Sequence, residues 1–272
     1  RPNSLSNHDS RELRTIQAEI RSTYIRWALA INGLHVAAER YRDQGWRDTH
    51  AGFYVTSIRA DGTGQGRIER IAQWEGETAA TNHLGTSPML VAYGIIDLYA
   101  CLEEWVFNLY RAYLNENPDR LLQGDEFESL RRLRKNAASS EEARNEWQAA
   151  WQERCEAWQR KRIYDGLHKV FLAFFADTRI AKPKAYKNTT PESWAESIRL
   201  VAVLRNSLMH GATEVNDELA NLTGKPHSLG FDLNKGERLR MELIHLQSVE
   251  CFLDQLLNAV NLSLVEHPDA FS

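Results

Sequence analysis

The sequence has little of what marks membrane-spanning, disulfide-linked or disordered chains. Its three cysteines are far apart and odd in number, so we expect core thiols rather than a disulfide framework. The most apolar run, residues 89–113, holds three carboxylates, which is too much charge for a lipid-facing span. No secretory h-region follows Arg1. We therefore expect a cytoplasmic protein.

Glycine and proline are also scarce, and neither sign of charge dominates. The 272 residues include only 15 Gly and 7 Pro, and 43% are hydrophobic, a balance typical of a globular protein. The formal net charge of -4 argues against binding of nucleic acid through the overall charge of the protein. Any binding of nucleic acid must therefore use a local basic patch.

Apolar residues recur at three- and four-residue steps over most of the chain, which predicts a mainly α fold. A β-hairpin is predicted from two β-branched segments, 53–58 and 67–71, around the glycine-rich turn 61–66. We expect residues 1–86 to form an N-terminal extension of one long helix plus this hairpin, and residues 87–272 to form a helical bundle. The predicted helices span residues 10–44, 87–116, 120–135, 141–176 with a bend near 165–166, 191–210 and 237–264.

The predicted helix 191–210 carries an unusual charge. Thr190 and Pro191 give it a cap and a preset first turn, and Gly211 is typical of a helix end. Its apolar stripe continues to Arg205. A buried guanidinium without a partner is costly, so Arg205 must meet an acid, a cleft or an external anion.

Residues 205–210, Arg-Asn-Ser-Leu-Met-His, resemble the R-x4-H signature of the HEPN superfamily, with a polar residue directly after the arginine. The resemblance implies a HEPN-like helical bundle from about Ser87 onward. It also implies a metal-independent endoribonuclease of a toxin–antitoxin, CRISPR-associated or anti-phage defence system. Such proteins usually act as homodimers in which two motifs face each other across a composite cleft. Because many of them belong to toxin–antitoxin or defence systems, the resemblance also implies an antitoxin or defence-system partner.

The chemistry of these side chains fits RNA cleavage independently. RNA carries its own nucleophile, the 2′-OH, so cleavage needs a proton acceptor or donor and a cation at the phosphate. His210 suits the first role and Arg205 the second, while Asn206 could hold the imidazole or touch a phosphate. On an ideal helix Arg205 and His210 diverge by about 140°. The site therefore requires a loosened last turn or a second copy of the chain.

Two further groups of residues are candidates to support the motif. Glu103 or Glu104, in the middle of an apolar seam, could orient Arg205; the alternative is an acid that tilts to solvent. A basic loop directly before the motif helix could bind the RNA backbone, although most charge runs are only solvated faces. Its residues are Arg179, Lys182, Lys184 and Lys187.

Three other interpretations remain open. Arg205 could be a structural residue and His210 a helix-end histidine, which would leave a non-catalytic module that binds RNA, a nucleotide or a protein. The Glu-x-x-His spacing at 242–245 is that of a di-iron bundle, but a full site needs further carboxylates. Trp147, Trp151 and Trp158 could stack bases or form a packing seam. We expect no cofactor and no metal.

Overall fold

The structure, a computed structural model, describes residues 5–50, 52–60 and 62–268, with side chains from residue 14 onward. Parts of the sequence predictions lie outside the described residues. These parts are residue 61 of the predicted hairpin turn, residues 1–4 of the predicted N-terminal extension and residues 269–272 of the predicted bundle. The described residues form helices and one hairpin, which confirms the mainly α fold. The elements are α1 (Leu5–Arg42), α2 (Gln44–Arg47), β1 (Phe53–Ala60), β2 (Gly66–Trp74), α3 (Gly76–Glu116), α4 (Glu128–Asn136), α5 (Glu141–Ile163), α6 (Leu167–Thr178), α7 (Pro191–Met209), α8 (Asp217–Thr223) and α9 (Leu243–Glu266).

Helix α3 lies at the centre of the fold. The helices with the most extensive contacts to it are α1, α6, α7 and α9. Its core positions include Ile95, Leu98, Leu102 and Phe107, which are almost completely buried. Each such side chain contributes roughly 1.5–3 kcal/mol by leaving water. Hydrophobic burial along α3 therefore holds the bundle together.

Helix α1 belongs to the same core. Its Ile20 and Ile31 side chains are buried in the cluster that surrounds α3. Trp27 Nε1 donates a hydrogen bond of 2.9 Å to Asp97 Oδ2 of α3. The position predicted as the domain division, between residues 86 and 87, lies inside α3, and α1 shares a core with α3.

Helix α3 begins eleven residues earlier than predicted, at Gly76 instead of Ser87. Ser87-Pro88 has the composition of a helix start, because proline is favoured in the first turn. The structure instead accommodates Pro88 inside the helix. Ala79 and Ala80 are fully buried, and this tertiary burial extends the helix backward from the proline.

Glycine explains two other helix boundaries. Gly124 has φ 103°, a conformation that a helix cannot include, so the predicted helix 120–135 is shortened to two 3₁₀ turns followed by α4. Gly166 has φ 88° and separates α5 from α6, which confirms the predicted bend near residues 165–166.

The predicted helix 237–264 begins instead at Leu243, and the short α8 was not predicted. Residues 237–239 pair with residues 213–215: Val215 N–H donates to the Glu237 carbonyl, and Leu239 N–H to the Thr213 carbonyl, both at 2.8 Å. These bonds satisfy backbone groups that a helix would otherwise use. They also join the segment before α9 to the segment after α7.

The hairpin is confirmed as an antiparallel pair, with a bulge between Val55 and Thr56. Ile58 lies opposite Ile68 near its tip, and both side chains are largely exposed. None of the described helices has the length and apolarity needed to cross a membrane.

Candidate functional site at the end of α7

Local sequence fixes both ends of α7. At its start, the Thr190 hydroxyl accepts a 3.2 Å hydrogen bond from Ser193 N–H, and the Ser193 hydroxyl accepts one of 2.9 Å from Thr190 N–H. This reciprocal capping box precedes a buried face that includes Ile198, Val201 and Leu204. The core face positions the last turn of α7, and with it the predicted motif.

Helix α7 ends in a Schellman motif. Gly211 N–H donates to the Leu208 carbonyl at 3.2 Å, and Ala212 N–H to the Ser207 carbonyl at 2.9 Å. Gly211 has φ 68°, which favours glycine. His210 is the exposed C-cap. The chain therefore turns away from the helix directly after the motif histidine.

Arg205 is half-buried between α7 and α3. Its Cζ lies 5.5 Å from the centroid of the Tyr99 ring, and its Nη1 donates a 3.0 Å hydrogen bond to Asn206 Oδ1. The Arg205 Nε atom is buried without a hydrogen-bond partner. Within the described part of the chain, no carboxylate lies within 4 Å of this guanidinium. The cation is thus held by an aromatic face and an amide, and its charge is not neutralised by a contacting acid.

Neither predicted acid forms an ion pair with Arg205 among the described residues. Glu103 is half-buried and Glu104 is exposed on α3. The buried side chain that meets Arg205 is Tyr99, one turn before Glu103. Burial raises the pKa of the Tyr99 phenol, the Glu103 carboxylate raises it further, and the Arg205 charge opposes them. Glu103 therefore acts on the same phenol as Arg205 without contacting the guanidinium.

The last turn of α7 is not loosened. His210 N–H still donates to the Asn206 carbonyl, four residues back, at 3.0 Å. Because the helix is regular up to His210, the Arg205 and His210 side chains leave it in directions about 140° apart. Asn206 lies one turn before His210 and contacts Arg205 with its amide oxygen. Of the two side chains that Asn206 could hold, Arg205 and His210, it therefore holds the guanidinium of Arg205. We call Arg205, Asn206 and His210 the trio.

A cleft of about 320 Å³ lies beside the motif, and sequence reasoning missed it. Its walls come from α3, from Leu208 of α7 and from the extended segment before α9. Two exposed arginines of that segment, Arg238 and Arg240, line it together with Met89 and Met241. We call it the arginine cleft. The sequence signal for these arginines is the Arg-Leu-Arg alternation at 238–240, which is typical of an extended segment. It was not used because a helix was predicted over the same residues.

The predicted RNA-binding loop lies at the other end of α7. It precedes Pro191, and the 19-residue helix places roughly 27 Å between its two ends. Lys182 Nζ donates to the carbonyls of Lys187 and Thr189, at 3.1 and 3.0 Å, so this ammonium group holds the loop. Arg179, Lys184 and Lys187 are exposed. RNA contact there stays a prediction, now separated from the motif by the length of a helix.

The Glu-x-x-His spacing at 242–245 has a structural use. Glu242 N–H donates a 2.9 Å hydrogen bond to His245 Nδ1 at the start of α9. Burial lowers the pKa of His245, more strongly than the nearby Glu242 carboxylate raises it. Among the described residues, no group of three or more His, Cys, Asp or Glu side chains could hold a metal ion.

The tandem tryptophans mostly serve packing. Trp158 is buried edge-on against Tyr110, with ring centroids 4.9 Å apart. Trp147 and Trp151 stack on each other at 5.4 Å, and Trp151 Nε1 donates a 2.8 Å hydrogen bond to Asn115 Oδ1. These contacts favour the packing seam over a platform for bases.

Comparison of the chain with protein-family models, with curated proteins and with solved structures finds no match. The residues at the end of α7 and their surroundings therefore carry the functional argument.

The helix end gives a stability prediction with a matched control. Gly211→Ala forces a Cβ into a left-handed conformation and should lower the free energy of unfolding by about 1–2 kcal/mol. Gly33→Ala, at an exposed position inside α1 with no atom within 4 Å of the added Cβ, should raise it by about 1 kcal/mol. Urea unfolding measures both variants. An equal gain in stability from both substitutions would contradict the Schellman end.

Proposed function

We propose that this protein is a metal-independent endoribonuclease that cleaves RNA through the RNA's own 2′-OH, leaving 2′,3′-cyclic phosphate and 5′-OH ends. One observation carries the proposal: Arg205 is a half-buried cation without a contacting carboxylate, and an exposed histidine follows it five residues later. A cation held in this way is suited to an anion from outside the chain.

Arg205 would bind the phosphate. A guanidinium presents several N–H donors in a fixed plane and can hold two phosphate oxygens at once. Tyr99 and Asn206 fix its position before substrate arrives, so less order is lost on binding. As the phosphate gains negative charge during attack, Arg205 stabilises it electrostatically.

His210 would move the proton. Imidazole can accept or donate a proton near neutral pH, so it can take the proton of the 2′-OH or supply one to the leaving 5′-oxygen. The exposed position at the helix end gives RNA access to the ring. Asn206 acts as a positioning residue, because it contacts Arg205 and lies one turn before His210.

A second copy of the chain would complete the site. Within one chain, Arg205 packs against α3 while His210 leaves the regular helix in another direction, about 140° away. A two-fold dimer that brings two such helix ends together pairs the arginine of one copy with the histidine of the other. The resemblance to HEPN domains supports the same homodimer.

The resemblance also supports a cellular role as a toxin or anti-phage defence effector, restrained by an antitoxin or another defence-system partner. RNA as the substrate and a cytoplasmic location form part of this proposal.

A non-catalytic RNA-binding module is the second candidate. The contact between Arg205 and Tyr99 favours it, since a cation over a buried aromatic ring can serve packing alone. Turnover separates the two candidates.

The first test of the proposal is a cleavage assay with single-stranded RNA in the presence of chelator. His210→Ala should slow cleavage on the order of 100- to 10,000-fold, because proton transfer is lost. Arg205→Ala should slow it on the order of 100- to 1,000-fold, because the developing charge is no longer stabilised. The control His35→Ala removes an exposed histidine of α1 and should leave the rate unchanged. Full activity of His210→Ala would reject the catalytic assignment.

The second test addresses the composite site. Arg205→Ala and His210→Ala chains, each inactive alone, are co-expressed so that mixed dimers form. If each site takes its arginine and its histidine from different copies, half of the dimers contain one intact site, and roughly a quarter of wild-type activity should return. If both residues act within one chain, every site carries a defect and the mixture stays inactive. Cleavage rate per protomer distinguishes these results.

A further inference from the structure

The arginine cleft has two unneutralised cations at its rim. Arg238 and Arg240 are both exposed, and no carboxylate lies within 4 Å of either guanidinium in the part of the chain that the structure describes. Glu214 pairs with Arg238 through the backbone bridge, yet the two side chains form no ion pair. Two planar guanidinium groups at one cleft are suited to the oxygens of a phosphate.

Backbone pairing holds these arginines in place. Leu239 N–H donates to the Thr213 carbonyl at 2.8 Å, and Gly236 N–H to the Val215 carbonyl at 2.9 Å. Since side chains alternate along an extended segment, Arg238 and Arg240, two residues apart, share one side of it. The cations are therefore anchored to the same segment that follows the motif helix.

The rest of the cleft is apolar and of suitable size. Met89 of α3 and Leu208 of α7 contribute its exposed hydrophobic surface, whereas Met241, which also lines the cleft, is almost completely buried. Methionine side chains are flexible and polarisable, and they adapt to flat aromatic groups. A cavity of about 320 Å³ falls at the lower end of the range for small-ligand sites. One nucleobase with its sugar matches this combination of apolar floor and cationic rim.

The cleft shares Leu208 with the motif, and on a regular helix Leu208 lies about 60° from Arg205 and about 160° from His210, so the cleft is on the arginine side of α7. Leu208, which lines it, is two residues before His210, and Thr213, which anchors the arginine segment, is three residues after. A nucleotide seated in the cleft would lie beside the end of α7.

We propose that the arginine cleft binds one unpaired nucleotide of single-stranded RNA next to the bond that is cut. The base packs on Met89 and Leu208, and Arg238 and Arg240 hold the adjoining phosphate. The base must be unstacked to enter, so the cleft selects single strands over duplex RNA. This inference rests on the proposed function for its place beside the cleaved bond, whereas the binding itself can be measured without cleavage.

The test uses His210→Ala protein, which keeps RNA intact, and a fluorescent single-stranded RNA of mixed sequence followed by anisotropy. Adding Arg238→Ala and Arg240→Ala should weaken binding on the order of tenfold or more at low salt. It should also lower the slope of log affinity against log salt by roughly 0.7, because the contact to one phosphate is lost. The control adds Arg59→Ala and Arg67→Ala, an exposed cross-strand pair on the hairpin, and should change the affinity less than twofold.

A second variant probes the floor of the cleft. Met89→Glu places a carboxylate among the apolar residues at a half-exposed position and should weaken binding of single-stranded RNA without unfolding the protein. Leu29→Glu makes the matched change on the exposed side of α1 and should have no effect. An RNA duplex of the same sequence and free adenosine monophosphate serve as competitors. Single-stranded RNA should compete best, and stronger competition by the free nucleotide would contradict a site for an RNA strand.

The outcomes separate this proposal from the proposed function. Equal affinity of the Arg238/Arg240 variant and its parent overturns the cleft, even if the wild type cuts RNA. An equal loss of RNA affinity in the Arg238/Arg240 variant and in the Arg59/Arg67 control also overturns it, since this result indicates a general effect of charge. A third outcome is that the wild-type protein cuts no RNA but binds it in a way that depends on Arg238 and Arg240. This result would support the cleft as an RNA-binding site, and it would reject both the endoribonuclease activity and the placement of the cleft next to a cleaved bond.

Discussion

Burial of α3 along most of its length is the constraint on which the other elements depend. Because α1, α6, α7 and α9 all pack against this helix, each of them has its orientation fixed by the side of α3 that it covers. The α7 contact has a consequence for chemistry: it brings Arg205 over the Tyr99 ring. A cation placed there has lost part of its hydration without gaining a contacting carboxylate. Core packing thus leaves a half-buried cation without a contacting carboxylate at the end of α7, and this is the group to which the proposed function assigns the phosphate.

The same packing brings two further arginines close to the C-terminal end of α7. The segment after the motif turns back at Gly211 and pairs with the segment before α9. That pairing places Arg238 and Arg240 at a cleft whose wall includes Leu208. The cleft therefore lies next to the C-terminal end of α7, while the basic loop before Pro191 lies at the far end of the helix.

Features set by neighbouring residues could be predicted from the sequence. Thr190 and Pro191 define the start of α7 and Gly211 its end, because caps and left-handed turns depend on local chemistry. The hairpin and the break before α6 follow the same logic. Features set by distant contacts could not be predicted. The early start of α3 depends on the burial of Ala79 and Ala80 among other helices.

The candidate site divides in the same way. The trio at the end of α7 is contiguous and could be identified as a motif, but its surroundings come from other elements. Tyr99, rather than Glu103, meets Arg205, because the rotation of α3 about its axis is a tertiary property. Arg238 and Arg240 were missed because the cleft assembles from three separate segments.

The central claim is that the RNA supplies the nucleophile while Arg205 and His210 assist it. The most direct measurement maps one cleavage position in an RNA and then replaces the single ribose on its 5′ side with 2′-deoxyribose. We predict that cleavage at this bond disappears while cuts at other positions in the same strand persist. Continued cleavage at the modified position would mean that water, not the 2′-OH, attacks the phosphate, and would contradict the account.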